Sequence, residues 1–160
     1  MSGQLSFLIQ SGDVAEQLFI LINIIAGCAW LLLLLVPYKR ITKRLVHGHF
    51  FTRLLAVMYV GLLFVAVQRI VIEDITLLSL GEILSDPWLL LLGWTHIVCF
   101  DLIAGIWMSQ DAVRRGIRHR YIMGSLLLTF LLGPLGFLAY FMTRFLSQQI
   151  RTRKGIDKAN

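Results

Sequence analysis

Residues 18–36 read LFILINIIAGCAWLLLLLV, an apolar run broken only by Asn23 and carrying no charge. About 20 such residues are needed to cross the hydrocarbon of a bilayer as a helix. Lipid offers no partner to backbone N–H and C=O groups, so a run of this kind must satisfy them within itself, as an α-helix does. Pro37 ends the run, and Lys39 and Arg40 follow it. No basic leader or small-residue cleavage motif precedes it, and it is longer than a signal-peptide core, so it reads as a retained anchor.

Three further stretches have the same character. The second begins at Leu54, is unbroken to Val67, meets Gln68 and Arg69 and reaches about Ile72. The third covers roughly 87–108, with Pro87 where a helix accepts proline, at its first turn. The fourth, 121–142, carries no charge. The expected fold is therefore all-α. It is a four-helix transmembrane bundle forming a single integral membrane domain over 1–160, with spans at about 18–36, 54–72, 87–108 and 121–142. Composition agrees: 58% of residues are hydrophobic and 15% charged, far from a soluble domain. A membrane β-barrel would show short alternating strands, which the sequence lacks. There is no internal repeat. Thr76–Asp86 is read either as a short helix at the membrane surface or as a plain loop. Cys28 and Cys99 lie inside apolar runs, outside any metal-binding spacing, and read as small buried hydrophobes.

Loop charge orients the spans. The first loop holds Lys39, Arg40, Lys43, Arg44 and Arg53 and no acid; the second holds Glu73, Asp74, Glu82 and Asp86 and no base. The third sets Arg114, Arg115, Arg118 and Arg120 against Asp111. Basic loops remain cytoplasmic, so the expected location is a multi-pass protein of the plasma or inner membrane with its basic loops inside. The net charge of +6 comes from these flanks, not from a separate polar domain, and nucleic acid is excluded as a partner. Four crossings would put both termini outside. The basic tail, with Arg144, Arg151, Arg153, Lys154 and Lys158, argues the other way. Either the earlier loops overrule it, which is the expectation adopted, or Gly133-Pro134-Leu135-Gly136 bends the fourth stretch into a re-entrant hairpin.

Two ionisable residues fall near the midplane. Counted from Pro87 at 1.5 Å per residue, His96 is about 14 Å and Asp101 about 21 Å along the third span. A carboxylate there costs at least about 2.5 kcal/mol on insertion scales, so such residues face the bundle interior, find partners and mark functional sites. The two are about 140° apart around the helix. Trp94, Asp101, Gly105 and Met108 share one side; His96, Cys99, Ile103 and Trp107 share the other. The competing account makes each an interhelical hydrogen-bonding group. In the fourth span, Thr129 and Gly133-Pro134 lie at similar depth. Pro134 leaves the Phe130 carbonyl without its helical donor, and loosened backbone beside buried polar groups is how many membrane sites are built. A packing kink is the alternative. Arg69 reads as snorkelling or pairing with Glu73, and Asp111 as a local partner of Arg114 and Arg115. His47, His49 and His119 read as solvated loop residues, and Trp88 and Tyr121 as interfacial anchors. No nucleotide loop, zinc helix or serine elbow is present, and His96 with Asp101 lacks the further ligands of a metal site.

On these residues the chain resembles the neoxanthin synthase-like family. Its plant member is a plastid membrane protein required for neoxanthin synthesis, whose loss causes abscisic-acid deficiency. The chain is similar to the bacterial-type members, whose functions are largely unassigned. The resemblance runs from the first span to the end of the fourth. It includes Pro37 followed by Ile41-Thr42-Lys43, and Tyr59-Val60-Gly61-Leu62-Leu63. Its most specific part is Trp94-x-His96-x4-Asp101-Leu102-x-Ala104, then Asp111, then Leu131-Leu132-Gly133-Pro134-Leu135-Gly136. One departure stands out: members commonly carry arginine where this chain has Ile106.

The resemblance implies a cofactor-free isomerase acting on an epoxy-carotenoid or related isoprenoid lipid. Opening the epoxide needs an acid at its oxygen and a base at the adjacent polyene carbon. Asp101 and His96 are the implied catalytic pair. Trp94, Trp107, Thr129, Gly133 and Pro134 are the expected substrate-binding residues, with no metal. The expected partners are membrane lipids, a carotenoid or isoprenoid ligand and a second copy of the chain. Two other readings stand beside this one: a non-catalytic protein that binds pigment or lipid or assists an enzyme complex, and, more weakly, a small proton-coupled carrier. Loss of the arginine at Ile106 favours the non-catalytic reading; retention of Trp94, His96, Asp101 and Pro134 favours the enzyme.

Overall fold

A computed structural model describes the backbone of residues 2–69 and 76–156 and the side chains of residues 13–69 and 76–150. Among the described residues the regular structure is helical throughout, in the order α1 (Ser2–Leu35), α2 (Arg40–Leu45), α3 (Phe50–Val67), α4 (Leu77–Ile83), α5 (Pro87–Arg114), α6 (His119–Leu132) and α7 (Pro134–Ile156). Three stretches are long and apolar enough to cross a membrane: Asp13–Leu35, Arg40–Val67 and Pro87–Arg114. Their outward side chains, Ile24, Leu31, Val57 and Phe64 among them, are more than half exposed. Apolar surface on that scale is unfavourable in water and suits lipid. The chain is a membrane protein.

The helix ends follow from local chemistry. The Thr42 hydroxyl donates to the Val36 carbonyl at 2.6 Å, tying down the turn after α1. The Thr76 side chain accepts from the Ser79 N–H, and the Ser79 hydroxyl returns the contact to the Thr76 backbone, capping α4 at its start. Thr76–Asp86 therefore contains a short helix and is not a plain loop. Asp86 Oδ1 accepts from the Trp88 N–H at 2.8 Å just ahead of Pro87, the first residue of α5. At the other end of α5, Ile117 N–H reaches the Ala112 carbonyl and Gly116 N–H the Val113 carbonyl. Gly116 takes φ 63°, the left-handed conformation that closes a helix C-terminus.

The fourth apolar stretch, expected to cross as a span loosened at Gly133-Pro134 or else to bend there into a re-entrant hairpin, is divided at Gly133. The α6 helix has 14 residues, about 21 Å at 1.5 Å per residue, short of the roughly 30 Å of hydrocarbon. Pro134 cannot donate to a preceding carbonyl, Gly133 takes φ 44°, and the chain turns back. Gly136 on α7 lies directly against the Thr129 backbone of α6. Arg118 and Tyr121 at the start of α6 share a groove with Leu146 and Ile150 on α7. The two helices thus form an antiparallel hairpin.

The chain divides into two compact units, one from Met1–Cys28 and Phe51–Cys99, the other from Ala29–Phe50 and Phe100–Asn160. In the first, Ile22, Leu55 and Ala66 are fully buried. In the second, Leu33, Leu102, Met108, Leu126 and Tyr140 are. Of the cysteines, Cys99 is buried as expected, whereas Cys28 is exposed.

Candidate functional site

Asp101 stands at the middle of α5 and meets the hairpin at its tip. A Cβ placed on Gly133 would lie 2.8 Å from Asp101 Oδ1 and 3.3 Å from Oδ2. The carboxyl group therefore fits against this position only because it is glycine. Here the carbonyl end of α6 meets the amide end of α7, the latter favourable to negative charge. No hydrogen bond or ion pair to the Asp101 carboxylate occurs among the described residues. Gly133 N–H donates to the Thr129 carbonyl at 2.9 Å. The buried Thr129 hydroxyl donates to the Ser125 carbonyl at 2.9 Å and approaches Met108 Sδ at 3.5 Å. Asp101, Thr129, Gly133 and Pro134, singled out in the sequence on separate grounds, therefore form one neighbourhood.

Trp107 belongs to the same unit and packs among aromatic rings of α7: Phe137 at 5.5 Å between centroids, Tyr140 at 5.7 Å and Phe141 at 6.0 Å. Sequence reading did not anticipate this cluster. Its signal was the spacing of Phe137, Tyr140 and Phe141 on one face of a helix that begins at Pro134. Trp30 of α1 lies over Gly105 of α5, where a Cβ would meet its ring. Ile106, where the resemblance leads one to expect arginine, is 1% exposed and packs as ordinary apolar core.

Asp111 is better satisfied than the sequence suggested. Its Oδ2 accepts from Arg115 Nε at 2.7 Å and from the Tyr140 hydroxyl at 2.7 Å, with Arg144 Nη1 at 3.8 Å. The local partner is Arg115, just past the end of α5; Arg114 is not paired with it. The second half of the set, Tyr140 and Arg144, comes from α7 and becomes adjacent only because the hairpin turns back. His119, expected to be solvated, places Nε2 3.0 Å from the Leu34 carbonyl and its ring edge against Tyr38.

Trp94 and His96 belong to the other compact unit. Trp94 Nε1 donates to Asn23 Oδ1 at 3.3 Å, and the indole packs on Phe19 at 5.7 Å. The one polar interruption of the first span is thus an interhelical bonding group. The His96 ring packs against Tyr59 at 5.7 Å. Arg69 pairs with Asp86 at 3.2 Å and stacks on Trp88; Glu73, its expected partner, lies outside the described residues.

The family model described as ABA DEFICIENT 4-like matches residues 17–140. The chain belongs to this ABA DEFICIENT 4-like family. The match takes in the whole Asp101–Gly133 neighbourhood and ends at Tyr140, leaving the basic part of α7 beyond it. No curated protein and no solved structure matches the chain.

Proposed function

We propose that this ABA DEFICIENT 4-like protein is a multi-pass membrane isomerase that rearranges a carotenoid or related isoprenoid lipid without a cofactor, using Asp101 as its proton donor. The observation that carries the reading is the position of Asp101. It is a carboxyl group at mid-helix depth, set against a helix break and without a hydrogen-bond or ion-pair partner among the described residues. A carboxyl group in that setting is costly and is retained where it has work to do. Family membership supplies the chemical class. Opening an epoxide to an allenic alcohol adds one proton to oxygen and removes one from carbon, so composition and oxidation state balance without a redox partner. Thr129, Gly133 and Pro134 shape the floor beside the acid, and the Trp107 cluster offers aromatic surface to a polyene. The resemblance gives His96 the base role.

In the bilayer this reading has three crossings, basic loops on the cytoplasmic side, and α6–α7 as a re-entrant hairpin whose tip delivers Gly133 to mid-depth. Irregular backbone at such depth is tolerated where protein covers it, and Gly133 is buried. A second reading, a non-catalytic pigment- or lipid-binding protein, is favoured by one observation: Ile106 is buried and apolar where members commonly carry arginine.

The deciding experiment is pigment and isoprenoid-lipid profiling of a deletion strain complemented with wild type, Asp101→Asn or His96→Ala. Accumulation of one substrate in the deletion and Asp101→Asn strains, with normal membrane insertion, supports the isomerase. Unchanged profiles in all strains refute it.

A further inference from the structure

A second cavity, of about 420 Å³, opens in the unit that contains Asp101 but at the far end of α5, among Tyr38, Lys43, His47, Ser109, Gln110 and Arg114. Its charge is one-sided. Asp111, the nearest acid in sequence, is committed to Arg115, Tyr140 and Arg144. No acidic side chain pairs with Lys43 or Arg114 among the described residues. The buried Nδ1 of His47 makes no hydrogen bond of standard geometry. Two unneutralised cations, the His47 ring, a buried serine and a glutamine therefore surround one cavity. Pro37 and Val113 add apolar wall, and Val113 is exposed at the level where a lipid would lie.

We infer that this cavity binds the phosphate group of an anionic lipid. Basic pockets between membrane helices at the cytoplasmic surface hold anionic headgroups. Arginine and lysine are the side chains suited to phosphate oxygens, through charge-assisted hydrogen bonds. The chemistry recognised is the phosphate. A lipid is the favoured source because the apolar wall continues beside the cationic one. The site does not depend on Asp101 or on any reaction there.

The test uses the full chain, purified in a neutral detergent, with native mass spectrometry reading bound ligand. The probes are phosphatidylglycerol, phosphatidylcholine and inorganic phosphate. Retention of phosphatidylglycerol over phosphatidylcholine is expected, weakened roughly tenfold or more in Lys43→Gln/Arg114→Gln. It should be unchanged in Arg118→Gln, which lines the separate α6–α7 groove. Lys43 and Arg114 are exposed, so the double variant keeps its fold, which circular dichroism checks. Capture of inorganic phosphate with the same variant dependence supports the phosphate site while assigning it to a soluble source. Equal retention of the two lipids, or retention unaffected by the double variant, overturns the inference.

Discussion

Gly136→Ala separates the hairpin from a straight span by the sign of its effect on stability. In an uninterrupted helix over 121–142, Gly136 would be an interior position, where alanine is favoured by about 1 kcal/mol. In the hairpin, the added Cβ falls on the Thr129 amide nitrogen and hydroxyl and on the Leu128 carbonyl carbon. Two of these are backbone atoms of a packed helix and cannot rotate aside, so α6 and α7 must separate. Overpacking of this kind costs roughly 1–3 kcal/mol. The control is Gly124→Ala on α6, where nothing lies within 4 Å of the new Cβ and a gain of about 0.5–1 kcal/mol is expected. Equilibrium unfolding of the purified protein in mixed micelles, followed by far-UV circular dichroism, measures both. A Gly136→Ala protein as stable as wild type, or more so, would refute the hairpin.

A reporter fused after Asn160 should give a cytoplasmic signal, matching one inserted in the first basic loop; an external signal would mean the fourth stretch crosses fully. Tyr140→Phe removes a hydrogen bond to the Asp111 carboxylate and should cost about 1.5–3 kcal/mol, with the cost largely absent when Asp111→Ala is already present, as a double-mutant cycle in micelles will read. Trp107→Ala strips the ring shared with Phe137, Tyr140 and Phe141 and should lose about 3–5 kcal/mol in the same unfolding assay. Asn23→Leu breaks the bond to Trp94 and should change stability by about 0.6 kcal/mol, the average for interhelical hydrogen bonds in membranes; a loss beyond roughly 1.7 kcal/mol would mean Asn23 carries more than that bond.

Apolar length made the first three spans readable, because the hydrocarbon thickness is a fixed yardstick. The same yardstick does not discriminate at 121–142. A hairpin with both arms in lipid and one straight crossing are equally apolar, so hydropathy is blind to the turn. What does encode it is local: Pro134 without its N–H, Gly133 at a φ that other residues rarely adopt, and Gly136 allowing backbone contact. The basic tail was a second and independent signal, since a hairpin returns Arg144 to the level of Asp111 and Arg115. Partners separated by the turn could not be paired in advance. Tyr140 looked like one aromatic among many until the reversal brought its hydroxyl to Asp111. Conversely, Asp101 and Gly133, matched in the sequence by counted depth, do lie against each other.

The two aspartates of α5 show why burial of a carboxyl group does not by itself mark a site. Asp111 receives a tyrosine hydroxyl and an arginine at 2.7 Å each, with a second arginine nearby. Its charge is spent on holding α7 to α5, and breaking that set by removing one partner leaves the rest uncompensated. Asp101, ten residues earlier on the same helix, has a glycine backbone for a neighbour and no such donors among the described residues. An apolar residue at 101 would satisfy the packing equally well, since a Gly133–side-chain contact asks only for volume. Packing alone therefore gives no reason for a carboxyl group there; the proposed proton transfer to a bound molecule would. Asp101→Asn keeps the volume and removes the titrating group. Unaltered stability in that variant, joined to loss of turnover, is the combination that a purely structural carboxyl could not produce.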